Sequence, residues 1–285
     1  MANPVQSDAE VLASTAEGTY RRLVLRAPEA APRVAPGHFA TLAVGGPGSS
    51  LLLRRAFHID RADPAAGTIE LVLADHGAGT RELRRARAGD RLALIAPLGT
   101  PFPLPEGPVS ALLVAEEYGA AALLTLAEEI RRAGGQVGFI LGAAGADRLY
   151  GVERARALTQ DVLVVTADGS AGLPGRVTGP LAQAIAAIDA RVVYTAGPAA
   201  PAAETARIAQ ELGVRCWTAV ETPMACGTGI CMGCVLPVVG ADGVSRFTRC
   251  CTDGPVFDGA RVRWSELGSV PPDLEGAPAA EVAAR

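Results

Sequence analysis

Met224-Ala-Cys-Gly-Thr-Gly-Ile-Cys-Met-Gly-Cys-Val235 sets Cys226, Cys231 and Cys234 in the spacing C-x4-C-x2-C, and Arg249-Cys-Cys-Thr-Asp-Gly-Pro-Val-Phe257 adds two further cysteines downstream. This spacing with a distant fourth cysteine is the plant-type pattern for a cluster of two irons and two sulfides. Such a cluster needs four thiolates at fixed separations and N–H donors around its sulfides. Gly227, Gly229 and Gly233 stand between the ligands, where the missing Cβ lets the loop close tightly. The competing assignment is structural zinc, but zinc ribbons and knuckles usually offer two short C-x2-4-C pairs, and only one exists here. Spacing alone does not choose between Cys250 and Cys251 as the fourth ligand. The sixth cysteine, Cys216, reads as a small buried apolar residue.

The whole chain sets the context for this loop. Its 285 residues carry a formal charge of -4. Two or three domains are expected at that length, and no basic footprint points to nucleic acid. All 26 basic residues are arginine, which excludes Schiff-base chemistry and a P-loop lysine. No apolar run is long enough for a membrane span, and the polar, acidic start lacks the order of a signal peptide. A cytoplasmic location is expected, where clustered cysteines more often hold metal than one another.

Outward from the loop toward the N-terminus, Cys216-Trp-Thr-Ala-Val220 reads as a strand and Thr205 to Leu212 as a helix. Before them, buried apolar strands (Ser110-Ala-Leu-Leu-Val-Ala, Gln136-Val-Gly-Phe-Ile-Leu, Val162-Leu-Val-Val-Thr, Arg191-Val-Val-Tyr-Thr) alternate with helices near 120–133, 149–158 and 179–188. That order predicts a doubly wound parallel sheet, whose ligands bind beyond the carboxyl ends of the strands. Gly142, Asp168-Gly-Ser-Ala171 and Ala196-Gly-Pro198 fall there.

Ahead of the linker Pro103-Leu-Pro-Glu-Gly-Pro108, residues from Glu10 to about Leu104 show short apolar alternations broken by Gly and Pro, one of them opening at Leu51. They predict a small antiparallel β-barrel or sandwich with one short helix over 80–87. Arg54-Arg-Ala-Phe-His58 puts two guanidiniums beside an aromatic ring, suited to a pyrophosphate and a flat heterocycle. Gly77-Ala-Gly-Thr80 offers N–H groups at a helix start, a common anion site.

Taken together, these motifs resemble the ferredoxin-reductase superfamily, and in particular the electron-transfer subunits of class 1B dihydroorotate dehydrogenase. The matching pieces are Arg55-Ala-Phe57 for the R-x-aromatic strand, Gly77-Ala-Gly-Thr80 for G-x-G-T, and Ala96-Pro-Leu-Gly-Thr-Pro-Phe102 for G-P-L-G-x-x-F. Ala196-Gly-Pro198, the cysteine loop and Asp253-Gly-Pro-Val-Phe257 complete the set. The resemblance implies an antiparallel β-barrel FAD domain over 1–105, a nucleotide-binding-type parallel-sheet domain over 106–215, and a small 2Fe-2S domain over 216–264. A flexible, Pro- and Ala-rich tail over 265–285 is expected to follow.

By the same resemblance FAD is held by Arg55, Ala56, Phe57, His58, Gly77, Gly79 and Thr80, and the cluster by Cys226, Cys231, Cys234 and Cys251. The implied partner is a flavin-containing catalytic dehydrogenase subunit, in a heterotetramer or larger complex of the pyrimidine-biosynthesis type. Two departures stand out. His58 replaces the usual Ser or Thr, and Ala115-Glu-Glu-Tyr-Gly119 replaces a glycine run, which sets two carboxylates against an NAD(P) pyrophosphate. Tyr118 is placed to cover a flavin edge or a partner surface. The alternatives are an autonomous NAD(P)H-dependent reductase and a zinc-stabilised scaffold without redox chemistry.

Overall fold

Leu23 lies opposite Leu71 and Leu25 opposite Ile69 across two antiparallel strands, and all four are fully buried. This two-residue alternation closes a sheet into a barrel around an apolar axis. In the computed structural model, which describes residues 3–46 and 48–276, the barrel is built from β1 (Val5–Glu17), β2 (Tyr20–Arg26), β3 (Phe39–Leu42), β4 (Arg55–Asp63), β5 (Thr68–Leu73) and β6 (Arg91–Leu98). Their order is β1-β2-β5-β4-β3-β6, and β6 closes onto β1. A six-residue helix α1 (Ala78–Leu83) lies between β5 and β6. Two local expectations change. β1 begins at Val5 because its first half pairs with β6 and its second with β2. The strand expected from Leu51 starts only at Arg55, after an irregular stretch in which Leu52 is 85% exposed.

The second unit comprises β7 (Ser110–Glu116), α2 (Ala121–Arg132), β8 (Gln136–Ala143), α3 (Val152–Leu158), β9 (Val162–Thr166), β10 (Leu173–Pro174), α4 (Leu181–Ala187), β11 (Val192–Gly197), α5 (Ala199–Glu211) and β12 (Arg215–Val220). Along β7, Ala111, Leu113 and Ala115 pack with α2, whereas Leu112 and Val114 pack with α4 and α5. Covering on both faces is why these strands read as unbroken apolar runs. α5 starts six residues earlier than its amphipathic pattern suggests. Pro201 lies in its first turn, where a missing N–H costs nothing.

Beyond β12 come a hairpin of β13 (Val235–Val239) and β14 (Ser245–Arg249), then β15 (Val256–Asp258). β15 returns to pair antiparallel with β12, giving the sheet order β10-β9-β8-β7-β11-β12-β15. A boundary at 215/216 therefore falls inside a sheet strand. In the stretch expected to be a flexible tail, Asp273 accepts a bond of 2.6 Å from Arg263, and Leu274 bridges to Ser245. Residues 277–285 lie outside the described ones. No helix among the described residues is long and apolar enough to cross a membrane.

Barrel and sheet share one core. Tyr20, Val72, Ala74 and Phe102 pack with Leu123, Leu124 and Tyr194. The Tyr20 hydroxyl donates to the carbonyl of Arg148 at 2.6 Å, and the Tyr194 hydroxyl to that of Pro103 at 3.0 Å.

Candidate functional site

Between the barrel and the sheet lies a cavity of about 250 Å³, walled by β4, by the turn before α1, by the start of α2 and by the chain after β12. Arg55, Ala56, Phe57, His58 and Thr80 line it. Gly77 and Gly79 shape its rim instead. A Cβ on Gly79 would come within 2.5 Å of the Arg55 Nε, so the guanidinium lies flat over that glycine. The Thr80 hydroxyl donates to the Gly77 carbonyl at 3.1 Å and accepts from the His76 N–H at 2.9 Å, which fixes the turn. The two arginines expected to act together part ways. Arg54 is committed to the barrel, bonding Thr41 Oγ1 at 3.0 Å and the Ala93 carbonyl at 2.6 Å.

Val220, Glu221, Thr222, Met224 and His76 complete the wall with Tyr118. Sequence reading missed Glu221, Thr222 and His76. The available signal was position: Glu221 and Thr222 stand just beyond the carboxyl end of a strand. Three buried polar atoms here lack a hydrogen-bond partner among the described residues: His58 Nδ1, Glu221 Oε1 and Thr222 Oγ1. Buried polar atoms are rarely left unpaired, so a cavity lined with them is shaped for a ligand with polar edges. Burial pushes the His58 pKa down to about 4, keeping the imidazole neutral. Burial pushes the Glu221 carboxyl up, and the nearby Glu117 and Glu116 add to this against the lowering effect of the Tyr118 hydroxyl.

Two residues beyond Met224 stands Cys226, at most about 7 Å of chain from the cavity wall. The loop sits on the barrel: a Cβ on Gly227 would meet Thr41 Cγ2 at 2.6 Å, and Gly227 and Gly229 both have positive φ. Backbone N–H groups point at the sulfurs, from Thr228 to Cys226, Gly233 to Cys231 and Cys251 to Cys234, each at 3.4 Å. Burial opposes ionisation of Cys226, yet the bonds from Thr228 and Cys231 outweigh it and bring the pKa down to about 6. The cysteines gather as two neighbouring pairs, Cys226 with Cys231 and Cys234 with Cys251. Among the described residues no three such donors close on a single metal ion.

Cys250 packs beside Cys234 and Cys251, its N–H donating to the Cys234 carbonyl at 3.0 Å, but its thiol turns the other way. It is fully buried, its Sγ donates to the Val220 carbonyl at 3.3 Å, and burial pushes its pKa up to about 12. Cys216 lies on β12, buried against Ala206 and Ala209 of α5, where burial likewise raises its pKa.

Residues 221–263 match the family model described as the iron-sulfur cluster binding domain of dihydroorotate dehydrogenase B. The electron transfer subunit of dihydroorotate dehydrogenase B (NAD(+)) from Shouchella clausii is 35% identical over 226 residues, which is 78% of this chain and 84% of that one. A probable electron transfer subunit from Methanopyrus kandleri is 33% identical over 271 residues, 95% of this chain and 97% of the other. Among solved structures, that of an NADH-dependent reduced ferredoxin-NADP oxidoreductase superposes with a TM-score of 0.79 at 26% identity, covering 92% of this chain and 91% of that one. A ferredoxin NADP+ reductase from Neisseria gonorrhoeae shares the fold at a TM-score of 0.59 and 20% identity, covering 73% and 92%. With cysteine loop, barrel and sheet in the same order over most of its length, the chain belongs to the family of dihydroorotate dehydrogenase B electron transfer subunits.

Proposed function

We propose that this chain holds FAD in the cavity between barrel and sheet, and a 2Fe-2S cluster on Cys226, Cys231, Cys234 and Cys251, and so connects a flavin-bearing catalytic subunit with an electron acceptor. The observation that carries the reading is the closeness of two fitted sites. A cavity with orphaned polar atoms ends at Met224, and the paired thiols begin at Cys226. A bound flavin takes up or gives electrons in pairs or singly, and the cluster carries one at a time.

The chain's own residues bind and orient. Phe57 offers a ring face to a flat heterocycle, and Arg55, fixed over Gly79, offers a guanidinium to the diphosphate. Gly77 and Thr80 hold the turn beside it, with Ala56 small enough to leave the wall open. His58, neutral and with a free Nδ1, is an acceptor or donor for the flavin edge where relatives use a hydroxyl. At the other site the N–H groups of Thr228, Gly233 and Cys251 stabilise thiolate charge.

A catalytic subunit would dock over the exposed Cys231, where Ile230 and Met232 stand 84% and 53% exposed. A heterotetramer or larger assembly rests on the family resemblance. A cytoplasmic location fits cysteines that serve as cluster ligands, which must stay reduced until the cluster is built.

The test is the content and spectrum of the protein purified under nitrogen. One flavin, two irons and two acid-labile sulfides per chain are expected, with both centres bleaching when the flavin is photoreduced. A colourless chain holding zinc would overturn the reading.

A further inference from the structure

The sheet order reverses between β7 and β11, and open α/β sheets take their ligands at such a switch point. The turn there, from Glu117 to Ala120, packs closely against β11. A Cβ on Gly119 would lie 2.5 Å from the Ala196 carbonyl oxygen. Its chemistry is the reverse of what a phosphate needs. Glu117 occupies the left-handed region at φ 54, a conformation that disfavours any residue with a side chain by about 1–2 kcal/mol. An ion pair secures it, with Arg148 Nη2 at 2.7 Å from the Glu117 carboxylate. That pairing occupies the Arg148 guanidinium, which is then not available to a phosphate.

Glu116 points elsewhere. It lines a cavity of about 300 Å³ beyond the strand ends, together with Ala143, Ala167, Arg176, Thr178 and Glu204. Thr178 already donates to Glu204 at 2.9 Å, and the Arg176 side chain is 84% exposed at 3.8 Å from the same carboxylate. Two carboxylates therefore face a space in which a dinucleotide would place two negative phosphates. Tyr118 completes the barrier on the other side. Its ring lines the flavin cavity, held edge-on by His76 at 5.4 Å and Tyr20 at 6.2 Å, and its hydroxyl reaches Glu221 Oε2 at 3.3 Å. A nicotinamide approaching the cavity from the strand ends would have to displace that ring.

We propose that the turn Glu116-Glu117-Tyr118 closes the strand-end crevice to nicotinamide dinucleotides, with Tyr118 as the side chain that covers the flavin cavity on this side. The chain thereby departs from relatives whose names carry NAD(+). The proposal rests on a flavin occupying the cavity.

The test is a titration of the flavin-replete, cluster-replete protein with NADH and with NADPH under nitrogen, read by calorimetry for binding and by the flavin absorbance for reduction. Wild-type protein is expected to bind neither nucleotide in the micromolar range. Glu116→Gly/Glu117→Gly/Tyr118→Gly should gain at least an order of magnitude in affinity. Tyr118→Ala should gain part of this, and Tyr118→Phe, which keeps the ring, none. Micromolar NADH binding by the wild type overturns the proposal, as does a folded, flavin-replete triple variant with no gain. If the triple variant does not fold, the wild-type titration and Tyr118→Ala decide. A wild-type protein lacking flavin sinks the functional reading instead, so the two failures are distinguishable.

Discussion

Arg154 of α3 places its Nη1 2.7 Å from both carboxylate oxygens of Asp60 on β4, and so ties the sheet unit to the barrel through a carboxylate that is almost wholly buried. Tyr150 donates to the same group at 3.0 Å. Burial opposes the Arg154 charge, but the contact with Asp60 outweighs it and raises the guanidinium's pKa. Arg154→Met leaves a buried charge uncompensated, at a cost of about 3–5 kcal/mol. Asp60→Asn/Arg154→Met should recover much of this, since the amide can still accept from Tyr150. Urea unfolding of the two variants checks it, and equal loss in both would show that the pair does not couple the units.

Cys250 and Cys251 are neighbours with opposite fates. Cys251→Ser is expected to lose or shift the cluster, because Cys251 faces Cys234. Cys250→Ser is expected to keep it, because the hydroxyl can still donate to Val220. Iron and acid-labile sulfide per chain distinguish the two, and equal content in both would reverse the ligand assignment.

Gly79→Ala drives a methyl into the Arg55 guanidinium. The fold should tolerate this, because the guanidinium is the free end of a flexible side chain, but an Arg55 pushed aside is expected to weaken FAD binding about tenfold, or about 1.4 kcal/mol. Fluorescence titration of the flavin-free variant measures it. Unchanged affinity would mean that Arg55 does not grip the diphosphate from this position.

His38 gives a pH dependence. It is buried, its Nδ1 accepts the Ala35 N–H at 2.9 Å, and burial brings its pKa down to about 4. The unfolded chain takes up this proton near the ordinary histidine value of about 6.5, while the folded chain holds it off until about 4. The contribution to stability is therefore full above about 6.5, and as much as about 3 kcal/mol is lost as pH falls to about 4. His38→Asn preserves the acceptor without titrating, so its unfolding free energy should fall less steeply across that window. Parallel slopes for variant and wild type would remove His38 as the cause.

Much of this molecule is legible in its sequence for one reason: its elements obey strict periods. Leu23, Leu25, Ile69 and Leu71 alternate as barrel strands must, and the unbroken apolar run around Leu112 to Val114 announces a sheet covered on both faces. The cysteine spacing is local and survives as written. What escaped is long-range. Nothing near Arg54 says that its guanidinium turns inward to Thr41 and Ala93, and nothing near Glu221 says that Tyr118, over a hundred residues earlier, meets it across the cavity. The start of α5 escaped because Pro201 looks like a breaker until its place in the first turn is known.

β12 ends at Val220 and β15 begins at Val256, and Ala219 pairs directly with Val256. The chain thus quits the sheet and rejoins it within one strand spacing, about 4.8 Å. The intervening stretch leaves and returns at a single ledge and is seated between its ends on the barrel, through Gly227 against Thr41 and through Leu236 and Cys250 packed with Phe39 and Leu98, so any shift of the barrel is felt directly at the thiols.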